Sequence, residues 1–141
     1  MKEGETLRGE GIKIIVPSSL KNLSLIRALV KTYLIAESIS KKDTLRLLTV
    51  IDELATNAIE HGYDYKEGDI SIYMTKDGDF VKITVEDFGA GFNNLKKSKS
   101  EGGMGLDIVR GLVDSLEINK KEVGTEFKIL KKVEEEKKNE L

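Results

Sequence analysis

Two neighbouring segments in the middle of the chain alternate between apolar and polar residues, and they constrain the fold more than any other feature. Residues 69–76 (DISIYMTK) and 79–87 (DFVKITVED) lie on either side of the dipeptide Asp77-Gly78. A period of two is the spacing of a strand with one buried face, and Asp-Gly is a common hairpin turn. The sequence therefore predicts an antiparallel hairpin whose apolar face must be covered by other elements.

Two segments with helical spacing precede this hairpin. Residues 23–38 predict a helix whose buried face consists of Leu25, Ala28, Leu29, Thr32, Tyr33 and Ala36. Residues 42–60 predict a second, stronger helix that begins near Asp43 and is closed at Gly62. Its apolar stripe consists of Leu47, Val50, Ile51, Leu54, Ala55 and Ala58. We expect this second helix to pack on the sheet.

The remaining elements complete the expected fold. Residues 12–16 predict a short strand before Pro17, residues 104–115 a third helix, and residues 116–120 and 122–130 a final hairpin. The order is strand, helix, helix, two strands, helix, two strands. This order predicts an α+β fold of two layers, with helices on one face of a mixed, mostly antiparallel sheet.

Length and composition limit the classes of function. A chain of 141 residues supports one core, and we assign residues 1–131 to a single domain and the charged run 132–141 to a solvated tail. The 23 basic residues are outnumbered by 25 acidic ones, which argues against a nucleic-acid partner. The absence of Cys and the single His exclude disulfides, thiolate catalysis and a structural zinc site. Because no segment has the character of a membrane span or a signal peptide, we expect a cytoplasmic protein.

Five of the 13 glycines fall between residues 89 and 105. They occur in the pieces Asp87-Phe88-Gly89-Ala90-Gly91 and Gly102-Gly103-Met104-Gly105. The second piece stands directly before a predicted helix, whose free N–H groups attract phosphate. Neither piece has the pattern of a Walker loop or of a dinucleotide-binding loop. A turn at a strand end and a helix entry would also explain the glycines, so a polyphosphate site and a structural role both stay open.

Glu53 and Asn57 are four residues apart in the second predicted helix, so they project from the same face. The amide oxygen of Asn57, together with phosphate oxygens, is a reasonable ligand set for Mg²⁺, and the carboxylate of Glu53 can accept a proton. A solvated pair on an amphipathic helix is the alternative. His61, at the end of this helix, is expected to act as a C-terminal cation or a local hydrogen-bonding residue rather than a catalyst.

Four segments, in this order, resemble the nucleotide-binding boxes of the gyrase, chaperone, histidine kinase and MutL (GHKL) ATPase superfamily. The segments are Glu53-Leu54-Ala55-Thr56-Asn57-Ala58-Ile59-Glu60-His61, Asp87-Phe88-Gly89-Ala90-Gly91, Gly103-Met104-Gly105-Leu106 and Gly124-Thr125. Their joint occurrence is far more specific than any one of them. The short helix 21–38 before the first box makes the chain similar to the bacterial anti-sigma factor serine/threonine kinases of partner-switching systems. The resemblance covers about residues 10–131.

The resemblance implies the Bergerat-type ATP-binding fold and a role for each matching residue. Asp87 would accept a hydrogen bond from the adenine amino group, while Glu53 would be the base that activates the attacking hydroxyl and Asn57 would ligate Mg²⁺. The glycines would allow the base, the ribose and the phosphates to approach the backbone. The residues that would bind ATP are Asn57, Asp87, Gly89, Gly91, Gly103, Met104, Gly105, Leu106 and Thr125.

The same resemblance implies a function and partners. The protein would be a homodimeric serine/threonine kinase that binds ATP and Mg²⁺, sequesters a sigma factor and phosphorylates a serine on an anti-sigma factor antagonist. Arg27 falls where the family places a partner-binding arginine, and the first strand and a face of the first helix would be partner surfaces. Lys96, Lys97 and Lys99 stand in residues 92–102, where the sporulation kinases have a stretch that contains Thr and Pro.

Two alternatives to this kinase stay open. One is a nucleotide-dependent binding module that regulates a partner without transferring phosphate. The other is a detached histidine kinase ATPase domain, for which a partner would have to supply the phosphoacceptor helix, because His61 lies within the first box.

Overall fold

Over residues 11–89 and 105–137, the computed structural model describes five strands and three helices. The strands are β1 (Ile12–Pro17), β2 (Asp69–Asp77), β3 (Phe80–Asp87), β4 (Ser115–Lys120) and β5 (Thr125–Lys132). The helices are α1 (Leu23–Ala36), α2 (Lys41–Asn57) and α3, which is described over residues 105–112. A 3-10 turn, Leu20–Asn22, precedes α1, and a π-helical turn, Ala58–Gly62, extends α2. No helix within these ranges is long and apolar enough to cross a membrane.

The five strands form one sheet in the order β1-β2-β3-β5-β4. The predicted α+β class and its two layers are confirmed. The sheet was predicted to be mixed, but its described strands are not: all four neighbouring pairs are antiparallel. The reason is that β5 returns from the β4 turn to lie between β3 and β4, antiparallel to both.

The turn of the central hairpin lies one residue later than predicted. Asp77 pairs with Phe80, so the two central turn residues are Gly78 and Asp79 rather than Asp77 and Gly78. Gly78 has a φ of +64°. A two-residue turn that needs a positive φ at its first central position favours glycine there, and this fixes the register of β2 against β3.

The helix α1 is buried through a different face from the one predicted. The buried residues are Ile26, Val30, Tyr33 and Leu34, and of these only Tyr33 belongs to the predicted set. Leu25 is 48% exposed and Leu29 is 38% exposed. Because apolar residues occupy most of the circumference of α1, helical spacing alone fits two faces, and packing against α2 selects one. We call the other the outer face of α1, made of Leu25, Ala28, Leu29, Thr32 and Ala36, all exposed.

The helix α2 packs as predicted. Its six predicted core residues are all buried, and they join the inner face of the sheet in a single hydrophobic cluster. At the start of the helix, the Ser40 hydroxyl accepts a hydrogen bond from the Asp43 N–H at 3.2 Å. The cluster therefore fixes α2 against the sheet along its whole length, which determines where its polar face lies.

The segment after β5 is attached to the turn between α1 and α2. The Ser40 N–H donates to the Glu134 carbonyl at 2.8 Å, and the Glu136 N–H donates to the Ser38 carbonyl at 2.8 Å. The buried Asp43 carboxylate accepts the Glu134 N–H at 2.8 Å and lies 3.7 Å from the Lys131 ammonium. The first residues of the run predicted as a solvated tail are thus held against the domain.

Candidate functional site

The polar face of α2 continues into a change of helical geometry. Glu53 and Asn57 lie on α2, and the π-helical turn Ala58–Gly62 follows directly. The turn is closed by the Tyr63 N–H, which donates to the Ala58 carbonyl at 2.9 Å. Such π-turns within helices are frequent at functional sites. This one brings Gly62 to the end of β3, where a Cβ atom on Gly62 would lie 2.6 Å from the Asp87 Oδ2.

Asp87, the last residue of β3, is a buried carboxyl with 1% exposure. Its Oδ1 accepts the Gly89 N–H at 3.0 Å, and the Thr125 backbone N–H also donates to the carboxyl group. Burial raises the pKa of Asp87 to about 6, while these two N–H groups and the charge of Lys121 act in the opposite direction. A strongly perturbed acid at a strand end is typical of a functional site.

Glycines bring three stretches of backbone into contact around Asp87. A Cβ atom on Gly89 would lie 2.0 Å from the Gly62 carbonyl oxygen, and one on Gly124 would lie 2.0 Å from the Asp87 carbonyl oxygen. Gly124 also has a φ of +97°, which strains any other residue. The surroundings of the carboxyl are therefore formed by the backbone of the α2 extension, the end of β3 and the β4–β5 turn.

The first described residue of α3, Gly105, lies against Glu53. A Cβ atom on Gly105 would lie 2.5 Å from the Glu53 Oε1. Glu53 is half-buried and Asn57 is 6% exposed, yet in the described part of the chain neither side chain makes a hydrogen bond or an ion pair. Both polar groups are thus available to a ligand on the same face of the helix.

The polar residues and glycines described above lie along a line whose length suits a nucleoside triphosphate. Glu53 and Gly105 lie at one end and Gly62 and Asp87 at the other, and Gly62 is nine positions after Glu53 along α2 and its π-helical turn. At a rise of 1.5 Å per residue this is roughly 13 Å, which an extended nucleotide can cover. Asn57 lies between the two ends, and its amide oxygen is a hard ligand of the type that Mg²⁺ accepts. The residues present therefore fit a nucleoside triphosphate and a Mg²⁺ ion.

Most of the predicted site residues within the described ranges fall on this line. The structure brings Glu53 close to Gly105, and it brings Asp87 close to Gly89 and Thr125. Leu106, at the start of α3, is 8% exposed and belongs to the core, so only its backbone can face a ligand. Other predicted residues lie outside the described residues, namely Gly91, Gly103, Met104, Lys96, Lys97 and Lys99.

Arg27, the predicted partner-binding residue, is engaged within the chain. Its Nε lies 3.1 Å from Oδ1 and 3.3 Å from Oδ2 of Asp52, the residue before Glu53. The two side chains are 43% and 39% exposed, respectively. An ion pair this exposed contributes little to stability, so a charged partner can compete for it.

Tyr63 is a residue of the site that sequence reasoning missed. Its hydroxyl donates to the Asp69 carbonyl at 2.6 Å and accepts the Phe88 N–H at 2.8 Å. A Cβ atom on Gly89 would lie 2.8 Å from its ring. Burial raises the pKa of this hydroxyl. The tyrosine thus connects β2 to the residue that follows Asp87, but a single aromatic residue after a helix looks in sequence like an ordinary core residue.

Replacing Tyr63 with Phe should loosen the backbone after Asp87. The variant removes the acceptor of the Phe88 N–H in a partly buried hydrogen bond, and the net contribution of such a bond to stability is about 0.5–1.5 kcal/mol. We expect denaturant unfolding to show a loss of about this size, and calorimetry to show ADP binding weakened by about tenfold, since 1.4 kcal/mol corresponds to a factor of ten. The Tyr73→Phe variant, which removes a hydroxyl from the opposite face of the sheet, is the matched control. Equal ADP affinity in the two variants would contradict this role.

Comparison with known proteins agrees with this geometry. Residues 16–131 match the family described as "Histidine kinase-like ATPase domain". The chain is 30% identical over 133 residues to the Anti-sigma F factor of Clostridium kluyveri, an alignment that covers 86% of this chain and 93% of that protein. It is 28% identical over 123 residues to the Anti-sigma F factor of Bacillus subtilis (strain 168), covering 79% of this chain and 84% of that protein.

A solved structure has the same fold. It is the crystal structure of the RsbU and RsbW domains of a Mycobacterium tuberculosis protein, with a TM-score of 0.70 and 23% sequence identity. The alignment covers 87% of this chain and 32% of that chain, so this chain spans about a third of the larger protein. With a family match over most of its length and anti-sigma factors among its relatives, the chain belongs to the histidine kinase-like ATPase family, in the branch that contains the anti-sigma factors.

Proposed function

We propose that this protein is an anti-sigma factor kinase. It binds ATP with Mg²⁺, sequesters a sigma factor, and transfers the γ-phosphoryl group to a serine of an anti-sigma factor antagonist in the cytoplasm. The observation that carries the proposal is the position of Glu53, a carboxylate unpaired within the described ranges, one turn from Asn57 and against the start of α3. Membership of the ATPase family supports nucleotide binding, and the names of the relatives support the sigma factor partner.

The residues of the site supply what phosphoryl transfer requires, namely alignment and neutralisation of charge. The Asp87 carboxylate accepts a hydrogen bond from the adenine amino group and fixes one end of ATP. The first described turn of α3, which begins at Gly105, would lie near the phosphates at the other end. When bound, Mg²⁺ neutralises phosphate charge, and the Asn57 amide oxygen would hold it.

Glu53 then acts as the general base. Its carboxylate takes the proton of the acceptor serine hydroxyl as the serine oxygen forms a bond to the γ-phosphorus. The bond from that phosphorus to the bridging oxygen breaks, and the electron pair leaves with ADP. A general base must lie within hydrogen-bond reach of the hydroxyl whose proton it takes. Within the described residues, Glu53 is half-buried and has no partner that competes for its carboxylate.

The outer face of α1 supports the proposal of protein partners. Leu25 and Leu29 expose apolar surface there, and exposed apolar patches of this kind are typical of interaction sites. Arg27 lies on the same helix. We propose that β1 and the outer face of α1 contact the sigma factor, the antagonist or the second subunit of a homodimer.

The proposed function predicts a specific product. The protein should transfer label from γ-labelled ATP, in the presence of Mg²⁺, to a serine of one small antagonist-like protein encoded in its own genome. Mass spectrometry of each incubated candidate identifies the modified residue. Phosphohistidine on a partner would instead indicate a histidine kinase ATPase domain. Nucleotide binding without any transfer would indicate a regulatory binding module.

A further inference from the structure

Lys121, in the turn between β4 and β5, contacts both chain neighbours of Asp87. Its ammonium group forms an ion pair with the Glu86 carboxylate and lies 4.4 Å from the centroid of the Phe88 ring. The Lys121 side chain is 28% exposed and that of Glu86 is 25% exposed. Because the pair is partly withdrawn from water, it is screened less than a surface pair.

The backbone fixes this turn relative to Asp87. The Lys121 N–H donates to the Gly124 carbonyl at 2.9 Å, and Gly124 packs directly on the Asp87 carbonyl. Thr125, the next residue, pairs with Asp87 across the sheet and donates its N–H to the carboxyl group. The backbone of Lys121 is therefore fixed close to Asp87.

The charges around Asp87 give Lys121 a particular effect. Glu86 faces Glu126 across β3 and β5, and Glu126 is held by the Asn119 amide at 3.1 Å and by Lys128 at 4.0 Å. Glu86 disfavours ionisation of Asp87, whereas the charge of Lys121 favours it. Titratable groups on the elements packed against Asp87 include Glu60, His61, Tyr63, Asp69, Glu86, Lys120, Lys121, Glu122, Glu126 and Lys128. Of these, Lys121 and Glu86 are the charges that act on the Asp87 carboxyl.

We infer that Lys121 is a positioning residue for adenine recognition, which holds the segment Glu86–Phe88 in place through its ion pair with Glu86 and its contact with the Phe88 ring, and supplies a positive charge beside the Asp87 carboxyl. This inference rests on the proposed function, because it concerns the same nucleotide site. Lys121 lies outside the four boxes of the sequence, so the pattern of boxes does not reveal it.

The test compares Lys121→Met with Lys121→Arg and Lys128→Met. Lys121→Arg keeps the charge, and Lys128→Met removes a cation of the same sheet region that pairs with Glu126 instead. For each protein, carbon-13 NMR follows the titration of the Asp87 carboxyl in the nucleotide-free state. Calorimetry measures the dissociation constant of ADP between pH 5.5 and pH 8.

Lys121→Met should raise the titration midpoint of Asp87 by about half a pH unit, because a nearby positive charge is lost. ADP should then bind about twofold more weakly at pH 6, because the ionised fraction of the carboxyl falls from about one half to about one quarter. The affinity should be nearly unchanged at pH 8, since the carboxyl is ionised there in every variant. Lys121→Arg and Lys128→Met should keep the midpoint of the wild type.

Two results would overturn the role of Lys121. One is an unchanged Asp87 midpoint in Lys121→Met; the other is an equal loss of ADP affinity at all pH values, which indicates a structural role only. If the wild type binds no adenine nucleotide at any pH, the proposed function fails and the role in adenine recognition fails with it. A failure of the Lys121 role can be told from a failure of the proposed function, because it leaves nucleotide binding by the wild type intact.

Discussion

Glu53→Gln should abolish transfer of phosphate to the antagonist while leaving the affinity for ATP within about twofold of the wild type. The amide has the shape of the carboxylate but cannot accept the serine proton, and loss of a general base lowers a rate by about 10²–10⁴-fold. Stability should be unchanged, because the Glu53 carboxylate has no hydrogen bond or ion pair within residues 11–89 and 105–137. Single-turnover transfer from labelled ATP measures the rate, and calorimetry measures the affinity.

Two further variants make this result specific. Glu60→Gln removes a half-buried carboxylate from the extension of the same helix and should transfer phosphate at the wild-type rate. Asn57→Ala should lose the Mg²⁺ dependence of nucleotide binding, which Glu53→Gln should retain. Transfer by Glu53→Gln at the wild-type rate would refute the assignment of the base.

Asp87→Asn should weaken ATP binding by about 10- to 100-fold, with little loss of stability at pH 8. The substitution replaces a carboxylate, which accepts a hydrogen bond from the adenine amino group, with an amide whose NH₂ group cannot accept one. A hydrogen bond to a charged group contributes about 1.5–3 kcal/mol. The substitution also removes a charge that is costly to bury, since the pKa of Asp87 is raised from 3.8 to about 6. Calorimetry and denaturant unfolding separate the two effects.

The same carboxyl predicts the direction of two pH profiles. Between pH 4 and pH 6 the folded protein holds a proton on Asp87 that the unfolded chain has released, so stability falls as the pH rises through this window. The rise of the Asp87 pKa from 3.8 to about 6 corresponds to roughly 3 kcal/mol of stability. Affinity for ADP should rise over the same window as the carboxyl ionises. Both slopes should flatten in Asp87→Asn, and an ATP affinity equal to that of the wild type would contradict the adenine role.

Local patterns in the sequence predict the elements and the main groups of the site. The stripe of α2 is unambiguous because its opposite face is polar, and this fixes the direction of Glu53 and Asn57. Asp87 can be located because it ends an alternating strand and precedes a glycine segment. These features depend on residues close together in the chain, which is where sequence patterns are informative.

Features that depend on distant contacts could not be predicted. The buried face of α1 is selected by packing against α2, because two of its faces are apolar enough. The role of Tyr63 arises from acceptor and donor groups on β2 and after β3. The contact of Lys121 with Glu86 requires β5 to lie beside β3, and no local spacing encodes that neighbourhood.

The attachment of residues 134–136 to the α1–α2 turn has a practical consequence. Because these residues bond to Ser38 and Ser40, a fusion partner joined directly behind them would pull on the first turn of the helix that bears Glu53 and Asn57. An affinity tag or fluorescent label intended to leave the candidate site undisturbed should therefore be placed at the other terminus, or separated from this one by a flexible spacer.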